Sequence, residues 1–326
     1  MKTKIFIAIF AALCMLTACN QCPVPDAAGK GWEEYELRGK VKQLQIKKYD
    51  AKSTLYDDGW ASFRQIGDKP AKESTIDFDM QGRILSKVEG NETTNYNYDK
   101  RGRILRKEDK RVWADGSTFV DLDEYAYKGR KTTCKHFYND ELKGTVITEV
   151  NKNGDIVSKE EYNKDGKLDD ATYYSYNRNG ELQEKIKKSF KSDGTVTTDT
   201  TAYDGYAYSE EGWLLQRNSY DVYNGEKQCK TTTTNTYDEE GREIKVESVV
   251  DFIEYITEQE YNDRGFLARK ANYEGLCGMS HNKTREVRYF YDYDPQSNYV
   301  VRRKTNDGLS IFGNAFIEHR TIVYYE

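Results

Sequence analysis

The chain has 326 residues and a formal net charge of −5; 32% of its residues are charged and 37% hydrophobic, and Tyr (27) outnumbers Phe (12) and Trp (4). A mean hydropathy of −0.92 excludes a polytopic helical membrane protein, which needs repeated apolar runs of about 20 residues. The near balance of charge argues against nucleic acid as a partner, and the tyrosine content argues against simple disorder.

The N-terminus reads as an address. Lys2 and Lys4 precede an apolar run from Ile5 to Met15, long enough for the core of an export signal and too short to cross a bilayer. Leu16-Thr17-Ala18-Cys19 follows. Charge, apolar run and tetrapeptide together resemble the lipobox of bacterial lipoproteins. That resemblance implies a signal peptide over residues 1–18, removal of that segment, and acylation of Cys19 with diacylglycerol and a further fatty chain such as palmitate. Cys19 would then be the membrane anchor. An Asn at position 20, where the family uses Asp for inner-membrane retention, implies the outer membrane of a Gram-negative envelope. An ordinary signal peptide cut near Ala18 is the alternative. Residues 19–36 are expected to form the lipid anchor and a flexible tether, since 20–31 are rich in Pro, Gly and small residues without periodicity.

Cys22, Cys134, Cys229 and Cys277 remain after processing. Export permits disulfides, four thiols allow three pairings, and free thiols are equally open. No Cys or His stands at zinc-ligand spacing.

The body, residues 37–326, repeats one phrase: an aromatic residue, Asp or Asn, two polar residues, Gly, any residue, an aliphatic. Phe78-Asp79-Met80-Gln81-Gly82-Arg83-Ile84 and Tyr98-Asp99-Lys100-Arg101-Gly102-Arg103-Ile104 are two copies. Others carry Gly166, Gly180, Gly241 and Gly265, and looser ones Gly154, Gly194 and Gly212. Asp or Asn opens a type I turn by accepting a hydrogen bond from the backbone two residues on, and the glycine takes the left-handed position of the following bulge. Each phrase is therefore a β-hairpin turn, with aromatic and aliphatic residues paired across it. Glu89-Gly90-Asn91, Ala114-Asp115-Gly116 and Asn224-Gly225 are candidate return turns. The pattern predicts an all-β body of roughly 18–20 short strands of five to eight residues. The expected architecture is an antiparallel meander of repeated hairpins forming one long, twisted, partly wound sheet, with a closed barrel or two packed sheets as alternatives.

The phrase resembles the YD repeat of the Rhs type, and Leu37 to Leu44 is similar to the start of short YD-repeat lipoproteins. The resemblance covers most of residues 37–326 and implies a long meandering sheet that winds into a shell. The large members enclose a toxin and release it through an autoproteolytic Asp-Pro-x-Gly core. Here Asp294-Pro295 is followed by Gln296-Ser297, so that core is absent and the cage function does not carry over.

Chemistry is sparse. His136, His281 and His319 are isolated, and no hydrolase, zinc-protease or phosphate-loop motif occurs. No catalytic residue, metal or cofactor is expected. The acidic pairs Asp57-Asp58 and Asp169-Asp170 read as solvated turns rather than calcium sites. Tyr173, Tyr174 and Tyr176, and Tyr289, Tyr291 and Tyr293, are candidates for an aromatic surface that stacks sugars or meets a protein, with cross-strand packing as the simpler reading. The function read from the sequence is an envelope-anchored scaffold, non-enzymatic, with a glycan or envelope protein as partner. A carbohydrate-active or other hydrolytic enzyme on the same sheet is the alternative.

Overall fold

The computed structural model describes residues 31–56, 59–305 and 315–326; the signal, Cys19, Cys22 and Asp57-Asp58 lie outside them. One helical turn, α1 (Gly31–Glu34), is followed by β1 (Val41–Leu55), β2 (Ala61–Gln65), β3 (Lys72–Phe78), β4 (Ile84–Glu89), β5 (Glu92–Tyr98), β6 (Ile104–Val112) and β7 (Thr118–Lys128). Then come β8 (Lys131–Tyr138), β9 (Glu141–Val150), β10 (Ile156–Asn163), β11 (Leu168–Tyr176), β12 (Leu182–Phe190), β13 (Val196–Tyr208) and β14 (Leu214–Tyr223). The last are β15 (Glu226–Tyr237), β16 (Glu243–Val250), β17 (Ile253–Tyr261), β18 (Leu267–Leu276), β19 (Asn282–Tyr293), β20 (Tyr299–Lys304) and β21 (Ala315–Tyr324).

From β3 to β21 each strand pairs antiparallel with the next, β3 pairs with β1, and β21 returns to β1 through Leu44↔Ile322 and Lys48↔Glu318. The result is a closed antiparallel barrel of 20 strands, with β2 paired to the far half of β1. The open, partly wound sheet expected above is thus corrected to the closed alternative. An even number of hairpin-linked strands brings first and last together antiparallel, and a sheet this long gains by removing its edges. Strands are also longer than expected, reaching 15 residues in β1.

The phrase glycines 82, 102, 154, 166, 180, 194, 212, 241 and 265 all have φ between 74° and 95°. At the first copy, Asp79 N–H donates to Arg83 O (2.9 Å) and Gly82 N–H to Asp79 O (3.0 Å), while the Asp79 carboxylate accepts from the N–H groups of Gln81 and Arg83. Asp294 to Ser297 makes the same turn with Ser297 at φ 64°, a copy hidden by its missing glycine. Trp113 to Gly116 and Tyr56 to Gly59 close with the same bonds.

Turns after odd-numbered strands from β3 to β19 share one end of the barrel, the near end; turns after even-numbered strands from β4 to β18 share the far end. A ring of tyrosine hydroxyls ties the near end together. Tyr98, Tyr127, Tyr176, Tyr206, Tyr237, Tyr261 and Tyr291 donate, at 2.6–3.2 Å, to the carbonyls of Ile84, Ile104, Ile156, Leu182, Leu214, Glu243 and Leu267. Each acceptor lies two residues past the glycine of the preceding near-end turn. Tyr325 closes the circuit onto Phe78 O at 2.5 Å. The arginine after a turn glycine adds a second link, since Arg83, Arg103 and Arg242 pair with their own turn aspartates and lie over Tyr98, Tyr127 and Tyr261. Burial pushes the hydroxyls of Tyr127, Tyr176 and Tyr206 up to about 12.

Residues 31–36, expected as tether, are folded. With 37–40 they lie on the inner face where the ring closes. Trp32, Tyr35 and Leu37 pack on Val41, Leu44, Ile76 and Phe78, the main apolar core. Trp32 N–H donates to Gly82 O (3.1 Å), its indole N–H to Val41 O (2.8 Å), and Arg320 to Tyr35 O (2.7 Å). Beside this segment Glu318 is buried between Arg302 (2.8 Å) and Arg320 (3.0 Å). On the outer face, the β1–β2 hairpin packs Phe63 against Ala51, Val301, Ala315 and Ile317, a second small core.

Candidate functional site

Alternation along each strand sorts side chains into an inner set, in register with Leu44 and Ile76, and an outer set. The outer wall carries ion pairs over much of its area: Lys47 with Glu73 (3.3 Å), Arg106 with Glu108 (2.7 Å), Arg269 with Glu286 (3.1 Å) and Arg303 with Asp292 (2.7 Å). Burial works against charge at Glu286, yet hydrogen bonds from Lys283 and Arg269 hold its carboxyl down at about 2. A bilayer-spanning barrel needs an outward apolar band about 25 Å tall. This wall offers fixed charge instead. No described helix is long and apolar enough to cross a membrane.

The inner wall carries a concave site on β5 to β8 near the far end. A cavity of about 200 Å³ is lined by Glu92, Asp109, Arg111, Trp113, Phe119, Asp121 and Tyr138. Local sequence explains the grouping. Asp109, Arg111 and Trp113 alternate along β6 and its extension; the turn at Asp115-Gly116 folds the chain back; Phe119 and Asp121 then come opposite Arg111 and Asp109. Tyr138 on β8 stands opposite Asp121, and Glu92 on β5 opposite Arg111.

The three rings form a continuous shelf. Trp113 meets Phe119 edge-on, with centroids 6.1 Å apart, and Phe119 meets Tyr138 at 5.9 Å. Trp113 and Arg111 are exposed, so the shelf is open at the rim. Arg111 is fixed by Glu92 at 2.9 Å and lies 6.0 Å from the Trp113 ring centre. Asp109 accepts from Lys107 (2.6 Å) and from the Thr94 hydroxyl (2.5 Å). Asp121 is exposed at the mouth. Below the shelf, burial together with the charges of Asp109 and Glu34 pushes the Tyr96 hydroxyl up to about 12. An apolar platform ringed by fixed acceptors and a planar cationic donor suits a ligand with one hydrophobic face and many hydroxyls.

None of the tyrosines proposed from sequence is in this site. Tyr174 and Tyr176 of β11 and Tyr289, Tyr291 and Tyr293 of β19 lie on the inner wall, eight strands apart, and only Tyr173 faces outward. The β19 rings form a stack with 6.5 and 6.0 Å spacings, backed by Phe266 and Tyr299. The six tyrosines therefore form two separate groups on the wall rather than one surface. The site residues went unremarked because Trp113 and Phe119 are single aromatics in charged stretches. The readable signal was period-two alternation of charge and ring on both arms of one hairpin.

The three histidines stay apart. His136 pairs with Asp123 (2.9 Å), His281 with Glu254 (2.8 Å), and His319 packs on Tyr49. Asp169 and Asp170 accept from Asn163 and Ser189, as turn and wall residues. Among the described residues no cluster of His, Cys, Asp and Glu is arranged to hold a metal ion. Cys134 is buried, and Cys229 and Cys277 are exposed; among the described residues none of the three is in a disulfide.

No protein-family model matches the chain, and no curated protein does either. Solved structures do match. A porin-like protein from Bacteroides uniformis is 11% identical over 87% of this chain and 96% of its own, with a TM-score of 0.36. A porin-like protein from Bacteroides vulgatus is 10% identical over 87% and 98%, with a TM-score of 0.19. The Photorhabdus luminescens Tc holotoxin pore is 12% identical over 80% of this chain but only 20% of its own, with a TM-score of 0.24. At scores this low none of these likenesses bears on what the chain does.

Proposed function

We propose that the chain is a lipid-anchored envelope protein that binds a glycan on the inner wall of its barrel without transforming it. The observation that carries this reading is the Trp113–Phe119–Tyr138 shelf flanked by Glu92, Asp109, Arg111 and Asp121. Sugar rings present a C–H face to aromatic groups and hydroxyls to carboxylates and guanidinium. Glu92 and Asp109 are each engaged by a cation, as suits carboxylates that hold a ligand rather than deliver a proton. Hydrolysis on the same wall is the weaker reading for that reason.

Anchoring through Cys19 fits a barrel whose outer wall is charged, because such a wall stays in water while acyl chains supply the membrane affinity. The outer membrane follows from the lipobox and Asn20 alone. Metabolic labelling with palmitate tests the anchor: label should be lost in Cys19→Ala, and label retained in that variant would refute it.

Glycan binding is tested by array screening followed by titration calorimetry of hits. Trp113→Ala should weaken binding by about 100-fold, in keeping with the loss of a central aromatic contact. Tyr173→Ala, on the outer wall, should leave it unchanged. Absence of any glycan ligand, or equal binding by Trp113→Ala, would overturn the proposal.

A further inference from the structure

The two rims of the barrel differ. Several near-end turns are charged, as in Asp99-Lys100-Arg101-Gly102, Ser209-Glu210-Glu211-Gly212 and Asp238-Glu239-Glu240-Gly241. At the far end, three successive turns, after β14, β16 and β18, expose large apolar side chains instead. Phe252 is 79% exposed, Tyr223 66% and Met279 64%, with Ile253 and Leu276 beside them. Cys277 N–H donates to Phe252 O at 3.0 Å, so the second and third of these turns form one surface.

We infer that this sector of the far rim, from β14 to β19, is the contact surface for a second copy of the chain. Four observations select that occupant. Five side chains of this size at these exposures present on the order of 600 Å², about three-quarters of the roughly 800 Å² per partner of a standard stable interface. The three turn tips, Asn224-Gly225, Asp251-Phe252 and Cys277 to Ser280, hold a single ionisable carboxylate, Asp251. Such a patch can face its own copy across a two-fold axis without like-charge repulsion, whereas other far-end turns carry pairs such as Asp140-Glu141 and Lys164-Asp165. Ring closure leaves the barrel's strands paired with neighbours, so strand addition along the wall is open chiefly at β2, the five-residue outer strand paired with β1 alone, and the apolar rim offers side chains instead.

The fourth observation is the placement of thiols. Cys229, on β15 at a backbone irregularity with φ 47°, and Cys277 are both exposed in this sector. Three strand spacings separate β15 from β18, roughly 14 Å, beyond the reach of a disulfide. Within the sector they cannot pair with each other. Across a two-fold axis through Phe252 and Cys277, each Cys277 approaches its copy, which makes it a reporter of the contact.

Sedimentation velocity of the Cys19→Ser chain, which carries no acyl group to drive association, tests the inference. A dimer is expected at micromolar concentration, and Phe252→Ser/Met279→Ser should raise its Kd more than tenfold with unchanged circular dichroism, both residues being exposed turn residues. Copper-phenanthroline should cross-link the dimer through Cys277. Cys277→Ser should lose that cross-link and keep the dimer. A chain that stays monomeric at about 100 μM, or a dimer untouched by the double variant, would overturn the inference. Glycan binding at the Trp113 shelf is read separately and does not depend on either outcome.

Discussion

Gly82→Ala probes how the N-terminal segment is locked into the barrel. Gly82 has φ 80°, where a Cβ costs about 1–2 kcal/mol. A Cβ there would also stand 2.5 Å from the Trp32 indole, which lies directly over the turn. The indole must move, which breaks the bonds from Trp32 N–H to Gly82 O and from its ring N–H to Val41 O. Each is worth about 1 kcal/mol, and partial loss of indole burial adds a similar amount or more. The expected total is about 4 kcal/mol. Gly154→Ala is the matched control: φ is 95° and nothing lies within 4 Å of its Cβ, so backbone strain of about 1–2 kcal/mol stands alone. Urea denaturation followed by circular dichroism and Trp fluorescence measures both. Equal destabilisation of the two variants, within about 0.5 kcal/mol, would refute the packing of residues 31–40 on the closure.

Tyr176→Phe and Tyr206→Phe each leave a near-end carbonyl, Ile156 O or Leu182 O, without its hydroxyl donor and should cost about 1 kcal/mol apiece in the same assay. Links well separated around the ring, such as those of Tyr98 and Tyr206, should give additive losses in a double Tyr→Phe variant. Arg320→Met removes one of two cations from buried Glu318 and the donor to Tyr35 O; a loss of about 3–5 kcal/mol is expected, larger than for Arg106→Met on the outer wall. Alkaline titration reads the tyrosine ring: these hydroxyls titrate near 12 when folded and near 10 when unfolded, so their contribution is whole below pH 10 and is lost as pH rises towards 12. Phenolate absorbance from the ring should therefore appear together with loss of the strand signal, and ionisation of all tyrosines near pH 10 with the fold intact would contradict it.

Much of the local structure was written in the chain. A left-handed glycine three residues after Asp or Asn is set by the backbone sterics of four residues, so hairpin turns and strand character follow from nearby sequence. The limits of that reading are equally local. Asp294 to Ser297 lacked the glycine and passed unnoticed, although serine takes the same φ there. Residues 31–36 looked like tether because Trp32 and Tyr35 have no periodic neighbours, yet a wall distant in sequence supplies their contacts.

Only the tertiary structure decided closure. Whether β21 meets β1 depends on the accumulated twist and shear of twenty strands, a sum over the whole chain that no single turn encodes. Closure in turn fixes which alternate residues face inward, and so it turns the local grouping of Glu92, Arg111, Phe119 and Tyr138, one from each of four consecutive strands, into a concave site on the inner wall, while the tyrosines of β11 and β19 stay eight strands apart. The sequence determined that the chain folds back on itself at nearly every turn; the geometry of the completed ring determined what lies inside it.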